Sequence, residues 1–222
     1  MSFPKVLLLI LLTLASSKNV VIIGDSRVCG IASYILQMDY TYHNSVYGNG
    51  SYMINYNAKN FGGNLIKVVA EVGASSVTFT NNSKEVCRGV HNMLKQSQKG
   101  TVVLLWLGVN NLDSAATFSY YKSLADLYKS LTFYACSVAG VSEGKTYIKN
   151  ETIKRFNNNL KAKVESAKIS NLKYKSILVN DDPIQVKGSS ILHISDSSTD
   201  TYGVHFYSSG YKICLEALLS GI

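Results

Sequence analysis

The 222-residue chain lacks the signatures of several large functional classes. No Cys/His spacing fits a zinc site, and no glycine-rich loop fits a nucleotide phosphate. Charged residues are only 16% of the chain, against 46% hydrophobic, a globular composition and not a disordered one. Basic residues outnumber acidic ones 22 to 14, for a net charge of +8. They are nevertheless scattered (Lys59, Lys67, Lys95, Lys99, Lys161, Lys163, Lys168, Lys173, Lys175) and form no dense run. A solvated surface accounts for them; no nucleic-acid partner is expected, and any attraction to anionic glycans or membranes is weak. The apolar run Val6–Leu14 is too short to span a bilayer as a permanent helix. No internal repeat or linker divides the chain, and its length suits one domain with a sizeable core.

What is present begins with an export pattern. Lys5 precedes the apolar run, and Ala15-Ser16-Ser17 follows as a plausible cleavage site. Residues 1–17 are therefore expected to be a signal peptide and residues 18–222 the mature domain, secreted or at the cell surface, with no stable membrane span after signal removal. Asn49-Gly50-Ser51, Asn81-Asn82-Ser83 and Asn150-Glu151-Thr152 match the N-glycosylation pattern, as expected of a glycoprotein, although an Asn- and Ser-rich chain also makes such triplets by chance. The four cysteines, Cys29, Cys87, Cys136 and Cys214, allow up to two disulfides. Cys29 and Cys214 fall on the first and last expected helices, which tend to share a face of a doubly wound sheet. They are the expected pair, with four buried thiols as the other reading.

Hydrophobic periodicity alternates between strand and helix. Expected strands are Val20–Ile23, Leu65–Val72, Thr101–Leu107, Phe133–Ala139 and Tyr174–Val179. Expected helices are Val28–Met38, Lys84–Gln98, Ser114–Leu131, Glu151–Ile169 and Ser208–Leu219. Asp39–Gly63, rich in Tyr, Asn and Gly, lacks a clean period and is expected to be an irregular surface excursion. Strands separated by helices predict an α/β fold: three layers, α/β/α, around a five-stranded parallel sheet.

The turn Gly24-Asp25-Ser26 ends the first strand where a helix begins. It presents a serine hydroxyl at the carboxyl edge of the sheet, where open α/β sheets bind ligands. Either Ser26 or Asp25 could equally be an ordinary helix cap. Gly73 follows the second strand, Gly108 and Asn110 the third, and His205 precedes the last helix. All can meet at one edge. Acyl transfer needs such a set: a hydroxyl nucleophile, an imidazole base, and donors for the tetrahedral oxyanion. A glycine lets its N–H approach closely, and an asparagine amide adds a neutral donor. Trp106 is expected in the core, Asp181-Asp182-Pro183 in a turn, and His43, His91 and His193 in ordinary surface or core positions; Asp182, at a strand's carboxyl end, is a conceivable further acid.

Gly24-Asp25-Ser26, Gly73, Gly108-Val109-Asn110 and Val204-His205 resemble, in order, the four sequence blocks of the SGNH (GDSL-type) hydrolases. Gly24-Asp25-Ser26-Arg27, Leu107-Gly108-Val109-Asn110 and His205-Phe206-Tyr207-Ser208-Ser209-Gly210-Tyr211 are similar to a secreted microbial subgroup. The resemblance implies a flavodoxin-like three-layer fold and ester hydrolysis without metal or organic cofactor. It implies Ser26 as nucleophile and His205 as base, with an oxyanion hole made by the N–H groups of Ser26 and Gly73 and the Asn110 side chain. The family's acid stands three residues before the histidine, and here Tyr202 occupies that position. Asp200 is the expected substitute, with Asp196 more distant; a backbone carbonyl orienting the ring would instead leave a Ser–His dyad. Asn111 stands where the family often has Asp.

The reading this supports is a secreted serine esterase that removes short, acetyl-type acyl groups from a glycan or other cell-surface polymer. The polar, tyrosine-rich excursion and the absence of a long apolar lid favour that over lipase action on long chains. The alternative, motivated by Tyr202, is a catalytically inactive carbohydrate-binding or surface protein on the same fold. An acyltransferase would use the same acyl-enzyme.

Overall fold

The computed structural model describes residues 17–39, 41–42, 51–82, 84–144, 146–187 and 203–222. Of the expected signal segment only Ser17 is among them.

The fold is built on β1 (Asn19–Gly24), which is buried from Val20 onward. It lies between β4 (Asn64–Glu71) and β5 (Val102–Trp106) and pairs with both in parallel. A strand covered on both faces has no polar side to offer, which is why Val20–Ile23 reads as a continuous apolar run. Its alternate side chains feed two cores. Val21 and Ile23 enter one with Val86, Val90, Leu124, Phe156 and Leu160, from α3 (Glu85–Lys95), α4 (Ser114–Leu127) and α5 (Asn150–Ala167). Val20 and Ile22 enter the other with Val28, Cys29, Leu215 and Leu218, from α1 (Ser26–Gly30) and α6 (Ser208–Leu219). Two helical layers thus sandwich the sheet. The short helix α2 (Ser76–Thr80) follows β4.

The parallel part runs β4-β1-β5-β6-β7, with β6 spanning Thr132–Cys136 and β7 Leu172–Lys175. These are the five parallel strands expected. The sheet is larger, however, because β3 (Ser51–Phe61) and the two-residue β2 (Thr41–Tyr42) extend it beyond β4 with antiparallel pairing. The stretch expected to be an irregular excursion therefore contains a long strand that, past the two residues paired with β2, is a sheet edge among the described residues. Its polar residues escape the alternation test because an edge strand leaves much of its surface in water: Tyr56 to Asn60 are exposed. Tyr52 is buried and Tyr56 is exposed, whereas Tyr40 and Tyr47 lie outside the described residues.

Three further expectations are corrected. The first helix does not run unbroken from Val28 to Met38; α1 gives way to a π-turn over Ile31–Ile35. The fifth strand, expected at Tyr174–Val179, is two pieces. β7 ends at Lys175, and β8 (Leu178–Val179) turns back through Asn180 and Asp181, both left-handed, to form a separate hairpin with β9 (Asp182–Val186). The expected turn at Asp181–Pro183 thus centres one residue earlier. Third, Cys29 and Cys214 do share one core, as the topology required, but they are not bonded: all four cysteines are free and buried. Each packs as a small apolar side chain.

Burial holds the thiols protonated. It pushes Cys136 and Cys214 up to about 12, and it raises Cys29 and Cys87 as well. Since the thiolate is the reactive form, none of the four should be alkylated by iodoacetamide in the native protein at mildly alkaline pH. Intact mass should show no adduct under native conditions and four in denaturant without reductant. Only two in denaturant would mean that a disulfide exists.

Candidate active site

The register of the sheet assembles the site. Gly24 is level with Ala70 on one side and Trp106 on the other, so the turns leaving β1, β4 and β5 emerge together at the carboxyl edge. Those turns carry Ser26, Gly73 and Gly108–Asn110.

Asp25 caps α1, its Oδ1 accepting the Arg27 N–H at 3.0 Å. It is the cap that the sequence allowed, and Ser26 is left as the first helical residue. The Ser26 N–H consequently has no acceptor within the helix. Asp25 is buried, and that burial raises its carboxyl pKa; the Arg27 guanidinium, the Arg27 and Gly108 N–H groups and His205 pull the other way. Ser26 is only 7% exposed, and its Oγ lies 2.8 Å from His205 Nε2. With the ring proton on Nδ1, the hydroxyl donates to Nε2, the arrangement of a serine ready to lose its proton. Residues 179 apart in sequence are brought to hydrogen-bond distance.

Gly73 has a left-handed backbone, φ 73°, in the turn that leaves β4. The Asn110 Nδ2 donates to the carbonyl of the next residue, Ala74, at 2.9 Å. An amide nitrogen carries two hydrogens, so this bond ties the two turns together and leaves one hydrogen for another acceptor. The strand before Asn110 is held from behind. The buried Tyr121 hydroxyl accepts the Leu107 N–H at 3.0 Å and lies 3.4 Å from the Leu107 carbonyl. Trp106 is buried as expected, its indole N–H donating to the Ser137 carbonyl at 2.9 Å.

Beside Asn110 an open trough of about 890 Å³ runs between the start of α4 and one face of α5. Its lining mixes Asn111, Asp113, Ser114, Asn159 and Lys163 with Leu112, Ala115 and Ala162, and no aromatic ring contributes. Asp113 is also the cap of α4, accepting the N–H groups of Ala115 and Ala116.

Asp200, Asp196, Tyr202, His43 and His193 lie outside the described residues. Asp182 sits in the β8–β9 hairpin, where its Oδ1 accepts the Ile184 N–H. His91 pairs with the Tyr128 hydroxyl at 2.8 Å, and burial lowers its pKa. In the Asn150 triplet, the side-chain amide bridges both polar groups of the Val141 backbone. No cluster of three potential metal-ligating residues occurs among the described residues, and no described helix is long and apolar enough to cross a membrane.

Sequence reasoning missed Arg27, Tyr121 and Glu71, a buried carboxyl at the end of β4 whose pKa burial raises. A signal existed for Arg27, since no other charged residue occurs from Val28 to Met38.

No family model matches the chain, and no curated protein matches it in sequence. Solved structures do. A putative platelet activating factor from Streptococcus pneumonia superposes with a TM-score of 0.58 at 15% identity, covering 93% of this chain and 84% of that one. The family 3 carbohydrate esterase of Clostridium thermocellum gives 0.54 at 14% identity, covering 91% and 93%. A mutant of Axe2, an acetyl-xylooligosaccharide esterase from Geobacillus, gives 0.52 at 13% identity, covering 92% and 93%. The chain has the three-layer, flavodoxin-like fold of the SGNH hydrolases.

Gly108 tests how tightly the site is framed. Its φ is 142°, and a Cβ there would stand 2.6 Å from the Phe156 ring and 3.0 Å from Val138 Cγ2. Gly108→Ala is expected to cost about 2–4 kcal/mol, from backbone strain and overpacking together. Urea unfolding would measure it; a loss under about 0.5 kcal/mol, the scale of ordinary surface changes, would contradict the geometry.

Proposed function

We propose that this chain is a serine esterase. The Ser26 Oγ to His205 Nε2 contact of 2.8 Å, at the edge where Gly73 and Asn110 also lie, is the observation that carries the reading. In the proposed reaction Ser26 Oγ attacks the acyl carbon while His205 Nε2 takes its proton. The carbonyl oxygen becomes an oxyanion facing the N–H groups of Ser26 and Gly73 and the second Asn110 Nδ2 hydrogen. Collapse expels the alcohol, which receives the proton from His205. Water then repeats the sequence on the acyl-enzyme, releasing the acid and restoring Ser26. Asp200 is the proposed group that orients His205.

For substrate we infer a short acyl ester, acetyl-type, on a polyhydroxylated alcohol such as a glycan, met outside the cell after removal of residues 1–17. Two observations support this. The trough beside Asn110 sets five polar residues among its eight and has no aromatic ring, a mixed lining that suits a hydroxylated substrate better than a long acyl chain. Similarly folded proteins include ones described as a carbohydrate esterase and an acetyl-xylooligosaccharide esterase. Tyr202, in place of the family's acid, supports a second reading, a non-catalytic glycan-binding protein.

A serine-reactive fluorophosphonate separates the two. Intact mass should show one adduct on the wild type, none on Ser26→Ala, and very slow labelling of His205→Ala. If Asp200 is the orienting acid, Asp200→Ala should slow labelling by up to about 10⁴-fold. No adduct on folded wild type would favour the binding protein. On a short aryl ester, Asn110→Ala should lower kcat by about 10²–10³-fold, as loss of one oxyanion donor does. For the trough, the double variant Asn159→Ala, Lys163→Ala should lower kcat/KM for an acetylated xylo-oligosaccharide about tenfold relative to that for the aryl ester. An unchanged ratio would remove the trough from the substrate path.

A further inference from the structure

Arg27 follows the proposed nucleophile directly, and it is the largest fully buried side chain among the described residues, 1% exposed. Burying a guanidinium is costly unless its hydrogen-bonding groups are met. Here backbone carbonyls meet them. Nη1 donates to Ala139 at 2.5 Å, Nη2 to Gly140 at 2.7 Å, and Nε to Val204 at 3.0 Å. The cation also lies over the Phe206 ring, 4.8 Å from its centroid. Phe206 is itself buried and meets Tyr211 edge-on at 5.5 Å.

Two of these contacts, Val204 and Phe206, are the residues on either side of His205. The other two, Ala139 and Gly140, belong to the segment that follows β6, and that segment is joined to the same loop again where the Ser142 N–H donates to Gly203. One side chain therefore links three chain segments: the turn carrying Ser26, the segment after β6, and the loop carrying His205. The guanidinium spreads its donors over three nitrogens in a fixed plane, which suits three separate carbonyls; an ammonium has three donors too, but all on one nitrogen at the end of a flexible stem. The guanidinium does not itself touch Ser26 Oγ or His205 Nε2 by any of these bonds, so its effect on them would pass through the backbone.

We propose that Arg27 is the positioning residue of the site. It fixes the backbone on both sides of His205 relative to the helix that presents Ser26, and so sets the Oγ–Nε2 distance. This rests on the esterase reading for its kinetic consequence but not for its structural one. A displacement of about 1 Å in a catalytic pair can cost on the order of 10²-fold in rate. Asp25 is tied to the same residue through the backbone, its Oδ1 accepting the Arg27 N–H at 3.0 Å.

The test compares Arg27→Lys, which keeps the charge and loses the fork, with Arg27→Met, which loses both, and with Phe206→Leu, which removes only the ring beneath the cation. Three measurements are made on each full chain: fluorophosphonate labelling rate, kcat and KM on a short aryl ester, and hydrogen exchange by segment. Arg27→Lys should slow labelling and lower kcat about 10²-fold with KM changed less than threefold. Amide exchange should rise in 203–207 and 139–142 while β1 and β5 stay protected. Phe206→Leu should move the same quantities the same way, by several-fold. If Arg27→Met does not fold, the other two variants carry the test. Wild-type kcat in Arg27→Lys would overturn the proposal, and so would a loss of activity that follows unfolding of the whole sheet. If the wild type itself takes no label and hydrolyses no ester, the esterase reading fails. Exchange in 203–207 then still decides whether Arg27 holds the loop.

Discussion

The half of the proposed site that carries Ser26, Gly73 and Asn110 depends on the two-sided pairing of β1. Hydrogen bonding to β4 and β5 fixes the register, with Gly24 level with Ala70 and Trp106. A slip of one residue would exchange the faces of Val20–Ile23, sending Val21 and Ile23 into the core now filled by Val20 and Ile22. The two cores differ in their helices, so the register is held by packing along the whole strand, far below the edge where the polar residues lie. The turns inherit that precision. The turns of Ser26, Gly73 and Asn110 leave the sheet at one edge because the packing deep in the sheet fixes the strands that carry them.

His205 has no such support, since the strand system does not extend to it. It stands just before α6, on a loop whose nearest regular element is a helix. Contacts of the loop itself bear on its position, among them Arg27 with its three carbonyls, Phe206 beneath, and the Ser142 N–H on the Gly203 carbonyl. The site therefore joins a part built by sheet register and a part built by one buried cation. The first is robust, because many apolar contacts share the work. The second concentrates the work in a few charge-assisted bonds, where loss of one partner strands a buried charge or carbonyl.

That division explains what could be read from the sequence. The strand-turn-helix of Val20–Ser26 was legible because a buried parallel strand is apolar throughout and its end is marked by Gly-Asp-Ser. Gly73, Gly108 and Asn110 were legible as residues at strand ends, and His205 by its place before the last helix. β3 was not, because an antiparallel edge strand need not alternate cleanly, although Phe61-Gly62-Gly63-Asn64 did carry a hairpin signal: both glycines are left-handed and join β3 to β4. Nor was the break after β7 legible, since Ser176 to Val179 continues an apolar run while the chain leaves the sheet. The bond that failed to form between Cys29 and Cys214 marks another limit. Topology puts residues on one face, and only side-chain packing decides whether two sulfurs meet.

Arg27 shows why a local motif understates its own content. Read along the chain, it is one letter after a serine, in a helix whose remaining residues are apolar. Read through space, it bonds to two segments that lie 112 and 177 residues further along the chain. An arginine buried in an otherwise apolar helix is unfavourable by itself. Its retention there requires acceptors from elsewhere in the fold, and backbone carbonyls of irregular segments are the acceptors that a closed sheet cannot supply. The unfavourable residue is thus the local trace of a distant loop, and here that loop is the one that brings the imidazole to the serine.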